Sequence, residues 1–538
     1  MLKKLFDGNS KSITSAAVII GAASLTSRVL GFLRDRVLAG EFGAGGDLDV
    51  YYAAFRIPDL VFNLLVLGTL SAGFIPVFST HIKKNLLGEQ GSQHDGWGLV
   101  NNLLHVLLIL LFFCFLIIMI FASKIMTLLA PGFSAHQIEQ ATTLTRIMFL
   151  SPIFLGISGV IGGVLQSYKR FFVYSLAPIF YNIGIIIGAL YLAPRFGLIG
   201  LAWGVVIGAF SHLVIQLPTL YILGYRYRPI LDLKDSGMKT IFRMMVPRSM
   251  SLAISQLNFL VVTVIGSTLA QGSISIFYLA NNIQSFPLGI FGISFAIAAF
   301  PTLSELVDNK EKFIESFIST VKQILFFIVP ASALLLVLRA QVVRTILGTG
   351  RFNWEDTILT MDVLSFFILS LFAQSLIPLF SRAFFAYKDS KTPFFAGLAS
   401  AVLNIILSFV LAKKYGITGL ALAFSLSSVT NLILLWVLLR KKIATLHENN
   451  IFTSVLKISS ATFLLVLTAQ ATKYIVEPIF GTNTFIGIFV QGASAGIAGI
   501  IVYVLCCTLF KLQEAQIFLD SFRKKFYKKF KPTEIIQE

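Results

Sequence analysis

Leu103 to Phe121 reads LLHVLLILLFFCFLIIMIF, nineteen residues with no formal charge. At a rise of about 1.5 Å per residue, a helix needs roughly 20 mostly apolar residues to cross a hydrocarbon core about 30 Å thick. A helix of a soluble protein keeps one polar face, and this stretch has no room for one. Windows of the same kind recur on either side, around Ile183 to Leu192 and Ile324 to Leu338, each extended by its neighbours. Of the 538 residues 56% are hydrophobic and only 13% charged, against about a quarter charged in soluble proteins. The sequence therefore predicts an all-α polytopic membrane protein with no large soluble domain.

Apolar windows between charged or Gly/Pro connectors place helices near 14–38, 50–80, 98–122, 138–166, 172–193 and 197–223. A second set of six follows near 240–269, 275–305, 314–347, 357–386, 392–412 and 417–439. Two more, near 453–475 and 484–510, bring the expected number of transmembrane helices to fourteen. With both termini inside, the even connectors hold about 27 Lys and Arg and the odd ones about 7, the positive-inside bias. The connector Tyr225 to Arg243 is then cytoplasmic, whereas Gly43 to Asp47 and Gly348 to Asp356 face outward. Lys3, Lys4 and Lys11 precede an apolar run that no small-residue cleavage pattern follows, so a retained first helix is expected rather than a signal peptide.

The net charge of +18 is spread through short connectors rather than gathered on a folded domain, which speaks against a nucleic-acid partner. The closing segment sets Arg523, Lys524, Lys525, Lys528, Lys529 and Lys531 among Phe522, Phe526, Tyr527 and Phe530. It reads as a basic amphipathic stretch against anionic headgroups. Cys114, Cys506 and Cys507 lie in apolar windows, and the six histidines follow no metal-ligand spacing, so no metal and no cofactor is expected.

The chain repeats itself. Tyr168 and Lys169 recur as Tyr387 and Lys388, and at the same offset Phe196, Gly197, Gly200, Leu201 and Ala202 recur as Tyr415, Gly416, Gly419, Leu420 and Ala421. Earlier in each half, Phe74-Ile75-Pro76 before Ser79 resembles Ala299-Phe300-Pro301 before Ser304. Six helices is an even number, so the halves share one orientation: two six-helix lobes as parallel repeats, with two C-terminal helices outside the duplication. The expected division is 1–228 for the first lobe, 229–445 for the second, 446–512 for helices 13 and 14, and 513–538 for the cytoplasmic tail.

Ionisable groups at membrane depth cost about 2.5–3.5 kcal/mol each on insertion scales. The first helix nevertheless carries Arg28, Arg34, Asp35 and Arg36, and Asp49, Arg56 and Asp59 follow at or in the second. Arg28 and Asp35 lie two turns apart on one helix face, with Arg34 beside it. Arg34, Asp35, Arg36 and Asp49 either line a cavity or snorkel to headgroups. Arg28 and Arg56 lie well inside apolar windows, which favours a cavity over a purely structural ion pair. Arg248, after Pro247 in the seventh helix, is a further candidate. Inward arginines suit a diphosphate, whose oxygens a guanidinium fork binds in pairs. Asn281, Asn282 and Gln284, ahead of Ser285-Phe286-Pro287, form a polar patch that either binds sugar or peptide groups or joins helices. Gly68, Gly73 and Pro76 in the second helix, and Pro287, Gly289 and Gly292 in the eighth, mark either hinges or close packing.

Ser27-Arg28-Val29-Leu30-Gly31-Phe32-Leu33-Arg34-Asp35, Phe42-Gly43-Ala44, Asp49, Phe55-Arg56-Ile57-Pro58 and Phe74-Ile75-Pro76 resemble the opening of the MurJ (MviN) flippases. Phe286-Pro287-Leu288-Gly289-Ile290-Phe291-Gly292, Gly350-Arg351-Phe352 with Asp356-Thr357, and Tyr387-Lys388-Asp389-Ser390-Lys391-Thr392-Pro393 continue the resemblance in order along the chain. It implies the multidrug/oligosaccharidyl-lipid/polysaccharide exporter fold, with lobes forming a V and helices 13 and 14 making a groove for a lipid tail. It also implies the substrate, lipid II, an undecaprenyl-diphosphate carrying the peptidoglycan disaccharide-pentapeptide, moved from the inner to the outer leaflet of a bacterial cytoplasmic membrane. By position, Arg28, Arg34 and Asp49 correspond to required charges, and Arg56 replaces a cavity lysine.

The sequence departs from that pattern at several points. A family arginine falls on Phe62, a glutamate on Leu67, an Asp-Arg pair on Asn281 and Asn282, and a glutamate on Ser285. No Asp or Glu lies between Ile241 and Leu269 or between Thr392 and Leu411, so the sodium site of some relatives is not expected. A flippase for an O-antigen or teichoic-type glycan is the alternative, with twelve helices expected. A multidrug exporter would place acids where this chain places arginines. An enzyme would need a nucleophile, base or metal constellation, and Glu355, Asp356 and Asp389 read instead as caps or solvated loop residues. A monomer suffices, because one chain holds both lobes; cell-wall synthesis enzymes remain open as partners.

Overall fold

The computed structural model describes residues 13–86, 92–443, 446, 448–517 and 519–520; the basic stretch Phe522 to Lys531 lies outside the described residues. Among those residues the chain is helical, with no strand. The helices are α1 (Ile13–Phe42), α2 (Gly46–Leu67), α3 (Gly96–Leu129), α4 (Ala135–Ser167), α5 (Phe171–Phe196), α6 (Leu198–Ile222) and α7 (Ser236–Ser267). They continue as α8 (Ser273–Glu305), α9 (Lys310–Val337), α10 (Trp354–Ile368 and Leu371–Ala386, bent by 44°), α11 (Lys391–Tyr415), α12 (Ile417–Ile443), α13 (Glu448–Phe480) and α14 (Phe485–Leu509).

By length and composition, twelve of the described helices can cross a membrane, or up to thirteen with the bent pair as one span; the expected fourteen is not reached by that measure. The 30-residue α1 is long enough but is not among them, and its C-terminal half holds Arg28, Arg34, Asp35 and Arg36. The ninth helix, expected to run to 347, stops at Val337, and Arg339–Leu347 is a separate helix. The backbone leaves the helical region at Leu338 (ψ 13°), and the Arg339 guanidinium folds back to donate to Leu336 O at 2.9 Å.

The chain divides into two compact units: Met1–Leu279 with Ile346–Asp356 and Ile405–Leu420, and Ala280–Thr345 with Thr357–Asn404 and Ala421–Glu538. In the first unit, Phe74, Phe78, Val160, Val164 and Ile241 are buried in one cluster. Here α5 and α6 cross on glycines. A Cβ at Gly184 would collide with the Gly208 backbone, and one at Gly188 with that of Gly204. The spacing of four on each helix lets the two backbones touch, and in lipid such contact replaces the hydrophobic drive that water would supply. On α3, Phe112, Phe113 and Ile120 are exposed, as an apolar face turned to acyl chains requires. The second unit packs Phe313, Phe317, Phe380 and Leu435 around α9, α10 and α12, and the Tyr503 hydroxyl of α14 donates to Phe326 O at 2.7 Å.

The repeat is written into the backbone. Lys169 (φ 59°) and Lys388 (φ 56°) are both left-handed, and so are Gly197 and Gly416, each with φ 59°. At Lys169 and Lys388 the next amide reaches back over the turn: Arg170 N donates to Leu165 O at 2.8 Å and Asp389 N to Phe384 O at 3.0 Å. Lys511, after α14, is a third left-handed lysine (φ 51°), with Leu512 N on Cys507 O at 3.1 Å. This is the hydrogen-bonded helix ending in which glycine normally occupies the left-handed position. In α2 the turn Phe62–Leu67 widens to π geometry, and α8 does the same over Leu288–Ile293. The widened turns precede Pro76 and Pro301, the prolines paired by the repeat, at nearly equal distances.

Candidate functional site

The charges of α1 and α2 belong to the first unit, and each has a definite surrounding. Arg34 Nη2 lies 2.8 Å from Asp35 Oδ1, and Nε donates to the same oxygen at 3.0 Å, a two-pronged contact between neighbours in sequence. The remaining prong, Nη1, donates to Asn182 Oδ1 of α5 at 3.3 Å. Asn182 is fixed in turn through its amide nitrogen to Pro178 O at 3.0 Å. A carboxylate that is 3% exposed thus has its charge matched by a guanidinium whose third contact ties α1 to α5. Two such charges survive at membrane depth only when paired in this way.

Arg56 sits one helical turn from Asp59, Nη1 to Oδ2 at 3.7 Å. Its guanidinium carbon lies 4.3 Å from the Tyr278 ring centroid and 5.6 Å from that of Phe259. Tyr52 also stacks on Tyr278, with ring centroids 5.2 Å apart. The π faces of these rings suit a planar, weakly hydrated cation. The Arg56 Nε is buried with no hydrogen-bond partner among the described residues, so one donor of the fork is left unsatisfied. Arg28 is half-buried on α1 and makes no hydrogen bond or ion pair among the described residues. Arg248 is exposed on α7.

Asp49 is placed differently. It is 3% exposed, and its two oxygens accept from Gly272 N and Ser275 N, both at 2.7 Å. These are free amides at the start of α8, so a carboxylate from the first turn of α2 caps a helix more than 200 residues away by the usual N-terminal preference for negative charge. Gly272 takes φ 90° there, and a Cβ would strike Ala44 O. Nearby, Arg351 N donates to Gly40 O at 2.8 Å, and Asp356 Oδ2 accepts from Ala44 N at 3.3 Å and Asn353 N at 3.1 Å. The Phe42-Gly43-Ala44 and Gly350-Arg351-Phe352 motifs therefore form one joint at the end of α1.

In the second unit, the α8 patch is an amide network. Gln284 Nε2 donates to Asn281 Oδ1 at 3.0 Å, and Gln374 Nε2 of α10 donates to Gln284 Oε1 at 3.1 Å and to Ser370 Oγ at 2.9 Å. Asn282 is half-buried beside it. Of the hinge candidates, Gly68 packs against Ser249 of α7, Gly292 lies against the Ser375 backbone, Pro287 and Gly289 are buried at the mouth of the widened turn, and Pro76 is exposed.

Sequence reading alone did not single out Asn182, Phe259, Tyr278 or Gln374, because each acts through a distant partner. The one local signal was that Asn182 interrupts an apolar window. Arg146 of α4 was passed over too, and its Nε is buried without a partner among the described residues. No group of three or more metal-ligating side chains occurs among the described residues.

A family model described as "Lipid II flippase MurJ" matches residues 38–491. A protein of Vibrio cholerae serotype O1 called "Probable lipid II flippase MurJ" is 31% identical over 440 residues, covering 79% of this chain and 83% of its own. One of the same name from Thermotoga maritima is 29% identical over 492 residues, 91% of this chain and 95% of that one. Among solved structures, "Lipid II flippase MurJ, inward closed conformation" superposes with a TM-score of 0.74 at 23% identity, covering 92% of this chain and 98% of that one. An inward-facing multidrug resistance MATE family transporter of the MOP superfamily superposes at 0.65 and 15% identity, over 80% of this chain and 99% of the other. At these identities the structural matches establish the fold.

Proposed function

The chain belongs to the lipid II flippase MurJ family, and from that premise we propose that it moves lipid II from the inner to the outer leaflet of a bacterial cytoplasmic membrane by alternating access. The observation that carries the reading is the extent of the family match, residues 38–491, which runs from the end of α1 through α13 to the first turns of α14. The site chemistry supports the same substrate class. Arg28, with no partner among the described residues, and Arg56, with an unpartnered Nε, leave donors for the oxygens of a diphosphate. Arg248 adds a third cation from α7. Arg34 acts by fixing α1 to α5, and Asp49 by capping α8. Asn281 and Asn282 supply amides for the sugar or peptide portion.

In this scheme the headgroup is drawn out of the inner leaflet by the arginines while the prenyl tail stays in lipid beside helices 13 and 14. Phosphate oxygens exchange water for guanidinium forks, which stay charged when partly desolvated. The joints at Gly68 and Gly289, with Pro76 and Pro287, let one lobe (1–228) rock against the other (229–445) and present the site outward. Both termini lie in the cytoplasm, and one chain is the working unit. The net positive charge of the α1–α2 cluster favours this reading over a multidrug exporter, whose cationic cargo would be repelled.

The test is complementation of a bacterium depleted of its own lipid II flippase, with growth and outer-leaflet lipid II followed for the wild type and for Arg28→Ala. Rescue by the wild type alone is the expected result. Correct insertion with no restored export by either protein would turn the assignment towards another lipid-linked glycan, once a second host gives the same result.

A further inference from the structure

Away from the arginine cluster, the second unit holds a cavity of about 720 Å³ at the N-terminal ends of α9 and α13, adjoined by one of about 340 Å³. The two share Lys322, Asn450, Gln513 and Glu514 as lining residues. Helical spacing builds the walls. Glu311, Glu315 and Lys322 recur on one face of α9, as do Asn450, Ser454 and Lys457 on α13. The third wall follows α14, where the left-handed Lys511 turns the chain so that Glu514 points inward, 6% exposed.

Charge is sorted along this cleft. Glu311 and Glu315 line only the larger cavity, together with Lys310, whereas Lys457 and Lys511 line only the smaller one. None of the three glutamates pairs with a lysine among the described residues. Glu514 stands between the two ends. Its Oε1 accepts from Ser454 Oγ at 3.3 Å, and its Oε2 is buried with no partner among the described residues. A carboxylate oxygen withdrawn from water without a donor costs several kcal/mol, and no cation among the described residues pairs with it there.

We infer that this cleft binds a phosphate ester carrying an ammonium group, the chemistry of an ethanolamine headgroup, with phosphate against Lys322, Lys457 and Lys511 and ammonium against Glu514, Glu311 and Glu315. A purely anionic headgroup would leave Glu514 unsatisfied, and a quaternary ammonium has no N–H to donate to it. The same chemistry is offered by a phospholipid of the surrounding leaflet and by soluble phosphoethanolamine.

The full-length protein, reconstituted in phosphatidylcholine nanodiscs with minor phosphatidylethanolamine and phosphatidylglycerol, is analysed by native mass spectrometry for retained lipid. Phosphatidylethanolamine is expected to be retained about tenfold over either competitor, the worth of one charge-assisted hydrogen bond. Glu514→Gln, and separately Lys322→Ala, should abolish that preference, while Arg440→Ala, outside the cleft, should keep it. In a parallel arm, thermal stabilisation by soluble phosphoethanolamine but not phosphocholine assigns the site to a soluble ligand, and retention of the lipid without that response assigns it to the headgroup. Equal retention of all three lipids together with no soluble response, or a preference unchanged in both variants, overturns the inference.

Discussion

The second and eighth helices are the same device carrying different charges. Each widens to a π turn at nearly the same distance before the repeat-paired prolines Pro76 and Pro301, and the first half widens once more over Leu70–Phe74. At the same separation that joins those prolines, Arg56 matches Asn281 and Asp59 matches Gln284. In α2 the pair is ionic, at 3.7 Å; in α8 it is a neutral amide pair, at 3.0 Å. Both pairs link residues three apart on one helix face. Duplication has thus kept the backbone joint and the pairwise geometry while one half gave up charge. What the difference teaches is that the joint and the charge of the pair beside it are separable properties of one helix.

The sharpest way to break that comparison is to copy the α8 pair into α2. Arg56→Asn with Asp59→Gln should keep the fold, because an amide pair satisfies the same face, yet lower lipid II export about tenfold or more by removing a charged donor. Thermal unfolding and an outer-leaflet lipid II assay would be read side by side; full export by the double variant would mean that α2 needs no charge. Arg56→Ala alone should lose both, with about 2 kcal/mol of stability gone because the half-buried Asp59 loses its cation and keeps only the bond from Asn63 Nδ2 at 3.0 Å.

A smaller effect separates the two joints themselves. A methyl at Gly292 meets the backbone of Ser375, whereas one at Gly68 meets the hydroxyl end of Ser249. Backbone cannot rotate aside, so Gly292→Ala should cost about 1–3 kcal/mol of overpacking. Gly68→Ala should cost about 1 kcal/mol, chiefly the displaced bond from Ser249 Oγ to Leu64 O at 2.7 Å. Equal shifts in Tm would show that the two turns are not distinguished by what they pack against.

The smallest effect lies at a repeated turn. Asp389 caps α11 through Thr392 N at 3.0 Å and pairs with Lys442 Nζ at 2.8 Å; its counterpart position after Lys169 is Arg170. Partial burial pushes the Asp389 carboxyl up, but the Lys442 ammonium and the Thr392 N–H and hydroxyl outweigh it and hold it at about 2. A carboxyl depressed in the folded state stabilises above its unfolded value and loses that contribution as pH falls towards the folded one. Lys442→Met should therefore lower stability by about 0.5 kcal/mol at neutral pH, a modest figure because the pair is partly solvated. The difference from wild type should vanish as pH drops to about 2; a difference that persists in acid would assign the effect to lost packing on Phe384 and Tyr387.

The helices were legible because their signal is local: nineteen uncharged residues such as Leu103 to Phe121 admit one solution in lipid. The repeat was legible for the same reason, and Lys169 with Lys388 and Gly197 with Gly416 carry it into the dihedral angles. The end of α9 was not, since hydropathy continues through Leu338 while the backbone leaves the helix there. Within the candidate site, the arginines stood out by their cost in an apolar window. Their surroundings did not: Asn182, Tyr278 and Phe259 are ordinary residues until the fold brings them to Arg34 and Arg56. Asp49 was legible as a costly charge but not as a cap, because the amides it meets belong to Gly272 and Ser275.

The three left-handed lysines have a consequence for how the protein is made. An L side chain in that conformation costs about 1–2 kcal/mol relative to glycine, so Lys169, Lys388 and Lys511 each sit where glycine would give a more stable molecule. In the proposed orientation all three face the cytoplasm, at turns that must be retained there while the nascent chain threads through the insertion machinery. A positive charge in a short loop biases that decision before any tertiary contact exists. Glycine at these turns would make a sturdier finished protein from a chain more prone to enter the membrane the wrong way round.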